Sequence, residues 1–247
     1  MNRPVVFTDL DDTLFQTQRK CPEDMGRSIV MSTLEDGRSS GYASERQQRL
    51  TNWLRNGRLV PVTARSRKVL GRVDIEQAPA ICANGGCIVG SDYEVDQQWH
   101  GHLKYQSLEI DSVRELHLLA TCNLDKDAFR HWIVSENDLE LYYVVKTNSE
   151  DLRTLDEAEE RAREHLPDGW RIHRNGNNLA VLPPWLNKRN AVAYILSEMR
   201  RHDPHLPAIG IGDSHSDVGF MDLCDFAVTP TTSQVWKDVK LGNQWCS

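Results

Sequence analysis

Short, unbroken apolar runs punctuate a polar chain at Val5 to Phe7, Leu59 to Val62, Ile81 to Ala83, Ala208 to Ile211 and Phe226 to Val228. Each is bounded by turn residues or polar groups. Continuous rather than alternating hydrophobicity predicts strands covered on both faces, the pattern of a parallel sheet. Between the runs the period lengthens to that of a helix. Glu45 to Arg55 opens with Ser44-x-x-Gln47, a capping-box pattern, and stops before Asn56-Gly57. Asn190 to His202 carries Ala191, Tyr194, Ile195 and Met199 at helical spacing, with Pro204 marking its end. Strand and helix alternate at both ends of the chain, which predicts an α/β fold around a parallel sheet.

From about Gly90 to Leu182 the texture changes. Strand-like Leu141 to Val145 and Leu179 to Leu182 sit among amphipathic helices such as Leu155 to His165, headed by a second capping-box pattern, Thr154-x-x-Glu157. This stretch reads as an inserted α+β domain, with Pro183-Pro184 as a stiff hinge near its exit. Ile29-Val30-Met31 and the turn signal Asp36-Gly37 predict a β-hairpin within Ser28 to Ser44, either a flap over the end of the sheet or an ordinary surface hairpin.

Composition narrows the class. A chain of 247 residues with 39% hydrophobic content can bury a full core. No apolar run approaches the ~20 residues that span a bilayer, and Asp9 interrupts the N-terminal run too early for a signal peptide, so a cytoplasmic location is expected. The net charge of -7 argues against broad nucleic-acid binding. No obligate protein partner is evident. The six cysteines (Cys21, Cys82, Cys87, Cys122, Cys224 and Cys246) form no CxxC pair and read as reduced structural thiols. His100-Gly-His102 reads as a loop pair.

The chemistry concentrates at strand ends. Val5-Val6-Phe7-Thr8-Asp9-Leu10-Asp11-Asp12-Thr13 puts Asp9 and Asp11 where open α/β sheets bind ligands. Like charges side by side call for a cation or a raised pKa, although an isolated Asp-x-Asp also serves as a turn cap. Hard oxygen ligands in small number suit Mg²⁺, which shares its coordination with substrate phosphate. Gly210-Ile211-Gly212-Asp213-Ser214-His215-Ser216-Asp217 ends another strand in two acids. Of these, Asp213 is placed to complete a metal site and Asp217 to support it. Val60 to Ser66 ends a third strand in Thr63 and Arg65, a hydroxyl and a guanidinium suited to phosphate oxygens. Lys188 opens the helix that leads to the Asp213 strand.

In the order DxDxT, Thr, Lys, GDxxxD, these elements resemble the haloacid dehalogenase (HAD) superfamily. Ala83-Asn84-Gly85-Gly86 is similar to its Cof-type and sucrose-phosphate-phosphatase-like branch. The resemblance implies a Rossmann-like catalytic core over 1–86 and 184–247, with an inserted C2-type cap over 87–183. It implies that Asp9 is the nucleophile and Asp11 the general acid and base. Thr63 and Lys188 would bind the phosphoryl group, and Mg²⁺ would be held by Asp9, the Asp11 carbonyl and Asp213, with Asp217 supporting. Arg65, Asn84 and, in the cap, Arg174 are the further candidates for substrate contact. Arg174 belongs to a polar cluster with Arg171, His173, Asn175 and Asn178 that also reads as a solvated charged face, as does Lys146-Thr147-Asn148. The chain departs from the branch at Ala64 and Arg189, where glycine is usual. The implied activity is a phosphatase for a small phosphorylated metabolite, with sugar phosphates as the leading class. Alternatives are a phosphomutase resembling phosphomannomutase and a non-catalytic binding module.

Overall fold

The computed structural model describes residues 3–23 and 28–241, which leaves Cys246 outside the described part. The chain divides into two compact units, Met1–Asp96 with Lys188–Ser247, and Gln97–Asn187.

The first unit begins with β1 (Val5–Thr8), β2 (Ile29–Thr33), β3 (Ser39–Ala43), α1 (Glu45–Leu54), β4 (Arg58–Pro61), α2 (Arg67–Leu70), β5 (Ala80–Cys82) and β6 (Cys87–Val89). The second contains α3 (Gln97–Ser107), α4 (Val113–Thr121), β7 (Phe129–Glu136), β8 (Leu139–Thr147), α5 (Thr154–Glu164), β9 (Arg171–Asn175) and β10 (Asn178–Leu182). The chain then returns to the first unit through α6 (Lys188–His202), β11 (Ala208–Ile211), α7 (His215–Met221), β12 (Phe226–Val228) and α8 (Gln234–Leu241).

In the first unit, four of the five expected strands form a parallel sheet in the order β12-β11-β1-β4. The fifth, β5, reaches this sheet through a parallel bridge between Val62 and Ile81 and pairs with β6 as a hairpin. β1 is central and wholly buried, so its Val-Val-Phe-Thr run has neighbours on both faces. The expectation of two covered faces fails at β12. Its three residues are exposed, because it is the outermost strand of this sheet. α1 has its capping box: the Gln47 amide donates to Ser44 Oγ at 3.3 Å, and the Ser44 amide donates to Gln47 Oε1 at 2.9 Å. α6 starts two residues before the apolar spacing does, since Lys188 is buried through charge pairing rather than hydrophobicity.

The predicted hairpin forms as β2 and β3, turning at Gly37, whose φ of 83° is open to glycine. It is stitched to the following segment, with the Thr33 amide donating to the Arg72 carbonyl at 3.1 Å and the Asp74 amide to Met31 at 2.7 Å. Its Met31 and Ala43 join Leu10, Leu14 and Phe15 in the unit's hydrophobic core. Gly41 sits against the Phe15 ring, where a Cβ would lie 2.8 and 2.9 Å from two ring carbons.

The second unit is an antiparallel sheet in the order β7-β8-β10-β9. Tyr143, Val145, Leu179 and Val181 from the sheet pack with Leu116 and Ala120 of α4 and Leu155, Ala158 and Ala162 of α5. This unit begins at Gln97 rather than 87, because β6 pairs with β5 and stays with the first unit. Thr154 is not a capping residue. The helix already includes it, and Asp151 shapes the entry by accepting from the Arg153 amide at 3.0 Å. His100 and His102 lie within α3, not in a loop. Trp170 and Trp185 are buried. The five described cysteines are free thiols.

Candidate active site

Eight of the nine residues singled out in the sequence fall in the first unit. The parallel register brings several to one end of the sheet. The Asp9 amide donates to the Ile211 carbonyl at 2.8 Å, and the Val62 amide to Thr8 at 2.8 Å, so β1, β4 and β11 all deliver their following residues to the same edge. These residues are Asp9, Thr63 and Asp213.

At the centre is a buried ion triad. Lys188 Nζ donates to Asp9 Oδ1 and to Asp217 Oδ1, each at 2.7 Å, and the three side chains are at most 8% exposed. The second Asp217 oxygen accepts from the Ser214 amide at 3.0 Å and its hydroxyl at 2.7 Å. Asp217 therefore has both oxygens engaged and acts from behind, holding Lys188 and the turn that carries Asp213. Gly212 is required there, because a Cβ would overlap the Asp217 side chain, with Cγ only 2.9 Å away.

Thr13 links Asp9 to Asp213, a pair that Lys188 does not bridge. Its hydroxyl lies 3.0 Å from Asp9 Oδ2 and 3.3 Å from Asp213 Oδ1. Oxygens of Asp9, Asp213 and Asp217 converge within 4.8 Å of one another, a spacing that suits a shared cation. Thr13 and Ser214 are the polar partners that the sequence reading missed as site residues. The final position of the DxDxT run was the available signal for Thr13.

The electrostatics follow from burial. Burial drives the Asp9 carboxyl upward, with Asp217 and Asp11 adding to the shift and Lys188 opposing it. Burial likewise pushes Asp213 up to about 6, reinforced by Asp217 and Asp12. For Asp217 burial also works upward, but the Lys188 charge and the hydrogen bonds from Lys188 and Ser214 hold it below the usual carboxylate range. Burial would lower Lys188, yet its two carboxylate partners outweigh that and raise it. Four carboxylates, Asp9, Asp11, Asp213 and Asp217, face two cations, Lys188 and Arg65, while neighbouring Asp12 is matched by Lys20. With all four ionised the site would be short of two positive charges, and its donors are all hard oxygens, which fits a divalent cation of the Mg²⁺ type.

Thr63 is fully buried, with its Oγ1 accepting from the Arg65 amide at 3.1 Å. Asn84 adjoins it, its amide donating to the Thr63 carbonyl at 3.0 Å, in a turn where Ala83 and Asn84 have φ of 50° and 58°. Such left-handed backbone in side-chain-bearing residues stores strain of the kind found at functional sites. Arg65 does not reach into open space. Its Nε and Nη2 grip Asp11 at 2.8 and 2.6 Å. Arg174 is the exception to the cluster. It lies in the second unit, where its guanidinium binds Asp156, Glu159 and the Leu152 carbonyl. Its charge is matched there by those two carboxylates.

Compared with solved structures, the chain superimposes over its full length on the sucrose-phosphatase of Synechocystis sp., solved with sucrose and phosphate, covering 90% of that chain (TM-score 0.58, 18% identity). It also matches a Plasmodium vivax protein assigned as a HAD/COF-like hydrolase, over 94% of this chain and 86% of that one (TM-score 0.55, 10% identity). The chain has the HAD fold. A third likeness is to the C-terminal domain of the trehalose-6-phosphate phosphatase of C. albicans, over 90% of this chain and 73% of that one (TM-score 0.55, 13% identity). No protein-family model and no curated protein sequence matches the chain. The HAD fold places the carboxylate cluster at the C-terminal edge of the parallel sheet, where open α/β folds bind ligands.

Proposed function

We propose that this protein is a Mg²⁺-dependent phosphatase that hydrolyses a small phosphorylated metabolite, a sugar phosphate, through an aspartyl-phosphate. The observation that carries the reading is the buried Asp9–Lys188–Asp217 triad beside Asp213, a carboxylate cluster that when fully ionised would be short of two positive charges, at the ligand-binding edge of the sheet. Two of the proteins with this fold are named for sucrose phosphate and trehalose 6-phosphate, which favours a sugar ester over other phosphomonoesters.

An Asp9 oxygen attacks phosphorus and forms the acyl-phosphate bond as the ester P–O bond breaks. Asp11 gives its proton to the departing sugar oxygen. It then takes one from the water that attacks phosphorus and releases inorganic phosphate from Asp9. Lys188, fixed by Asp217, neutralises charge on Asp9 and on the transferring group, and Thr63 binds its oxygens. Asp9 and Asp213, with the Asp11 carbonyl, would hold Mg²⁺. Bound there, the ion would supply the missing positive charge and polarise the phosphoryl oxygens. Burial, with Asp217 and Asp11, raises the Asp9 carboxyl even beside Lys188, so a bound divalent cation would favour the ionised nucleophile. The inserted unit, Gln97–Asn187, is assigned the cap's task of selecting the leaving group.

The test is phosphate release from a panel of sugar phosphates, nucleotides and p-nitrophenyl phosphate, with MgCl₂ and with EDTA, for wild type and Asp9→Asn. Turnover that requires Mg²⁺ and vanishes in the variant supports the reading and ranks the substrates. A folded wild-type protein inactive on the whole panel overturns it, in favour of a mutase or a binding role.

A further inference from the structure

We propose that Arg65 is a positioning residue for Asp11: it clamps the carboxylate by both oxygens and sets the direction in which the acid-base proton is exchanged. This inference rests on the phosphatase reading and assigns Arg65 to the protein's own carboxylate rather than to the substrate phosphate.

The contact is a two-armed fork, Nε to Oδ2 at 2.8 Å and Nη2 to Oδ1 at 2.6 Å. A planar guanidinium fits a carboxylate edge in this way and fixes its plane, which a single ammonium cannot do. Of the two partners, Arg65 is the anchored one. Its side chain is 17% exposed against 41% for Asp11. The Arg65 amide donates to Thr63 Oγ1, and its carbonyl accepts from the Ala83 amide at 2.7 Å. Its guanidinium carbon lies 5.3 Å from the centre of the Phe15 ring. Phe15 is fully buried and tied to the same loop as Asp11, with its carbonyl accepting from the Asp12 amide at 2.7 Å. One aromatic ring therefore supports the clamp while its backbone holds the loop being clamped.

An ionised carboxylate offers about four lone-pair sites. The fork occupies two along one edge. One of the remaining two carries the proton when Asp11 is protonated, gives it to the leaving oxygen and then takes one back from water. A substrate-binding arginine would have its fork directed at phosphate instead, and its loss would weaken all esters alike.

Leaving-group dependence separates these roles. A phenolate departs with little help, whereas a sugar alkoxide needs the proton from Asp11. Because kcat/KM covers the steps through the first departure, it isolates this proton transfer from the later hydrolysis of the aspartyl-phosphate. General acid catalysis is worth about 10²–10⁴-fold, and a misdirected acid loses part of that. We expect Arg65→Lys and Arg65→Gln to lose on the order of 10–100-fold in kcat/KM on glucose 6-phosphate, or on the best alkyl ester of the panel. That loss should exceed the loss on p-nitrophenyl phosphate by at least about tenfold. Lysine should not rescue it, since charge without the fork does not orient the carboxylate. Equal losses on both esters, or restoration by lysine, overturn the proposal and return Arg65 to phosphate binding. Should Arg65→Gln fail to fold, Arg65→Lys, which keeps the charge and the stem, carries the test. Wild-type inactivity on every ester would instead overturn the phosphatase reading, and this inference with it.

Discussion

Replacing Lys188 with methionine removes the one cation between Asp9 and Asp217 while keeping a side chain of similar length. Both carboxylates lose a 2.7 Å partner, and neither can turn to solvent, since they are 8% and 0% exposed. Removing one member of a buried ion pair typically costs about 3–5 kcal/mol, because an uncompensated charge is left inside. For a chain of this size each kcal/mol lowers Tm by roughly 2–4 °C, so a loss of about 6–20 °C is expected. The penalty must also depend on pH. Without Lys188, both carboxyls have folded pKa values above their unfolded ones. The variant is therefore penalised only where they would be ionised, and the penalty grows as pH rises from about 4. In the wild type the depressed Asp217 contributes stability at pH above the usual carboxylate pKa and loses it on acidification, which narrows the gap from the other side. Thermal unfolding followed by circular dichroism in EDTA, at pH 5 and pH 8, should show the larger difference at pH 8. A variant within about 1 kcal/mol of wild type at pH 8, or a difference equal at both pH values, would refute the view that this triad is held together by charge.

Two further outcomes follow from the same geometry. Asp213, raised to about 6, together with Asp9, also raised, means that protons compete with a cation below that pH. The Tm gain from MgCl₂ should be larger at pH 7.5 than at pH 5 and should disappear in Asp213→Asn; a gain independent of pH would count against these residues as ligands. In Gly41→Ala the new Cβ would meet the Phe15 ring at 2.8 and 2.9 Å. Overpacking of this kind costs about 1–3 kcal/mol, so unchanged stability in urea titration would show that the hairpin yields where it is expected to resist.

The carboxylate cluster was legible because its residues sit in short runs with fixed spacing after apolar strands. Asp9, Asp213 and Asp217 each follow β1 or β11 within a few residues, and the register of a parallel sheet does the rest. The β2–β3 hairpin was equally legible, since its turn needs glycine at position 37. What pairs with what across the fold was not. Arg65 looked free to bind phosphate, because nothing local reveals that Asp11, 54 residues earlier, fills its fork. The polar cluster around Arg174 likewise gave no sign that its guanidinium pairs with Asp156 and Glu159 of α5. Arg189, standing where glycine is usual, braces α6 to α7 by donating to the Gly219 carbonyl at 2.7 Å. Exposure of β12 also lay beyond the pattern, because an apolar run does not say whether a further strand will cover it.

The central place of β1 in its sheet sets a timetable for biosynthesis. Its neighbours are β4, soon made, and β11, whose register partners for Val5 to Thr8 are Ala208 to Ile211. At about 5–20 residues per second, the roughly 200 residues between Asp9 and Asp217 take on the order of 10–40 s to appear. Throughout that interval the emerging chain carries a four-residue, mostly apolar strand with one edge unpaired, the kind of edge that invites association with other chains. A ribosome that stalled before β11 would release a product lacking Asp213 and Asp217 and still holding that open edge. Such a fragment would be inert and a natural client for chaperones, so the order of synthesis itself keeps the carboxylate cluster from assembling before the chain is nearly complete.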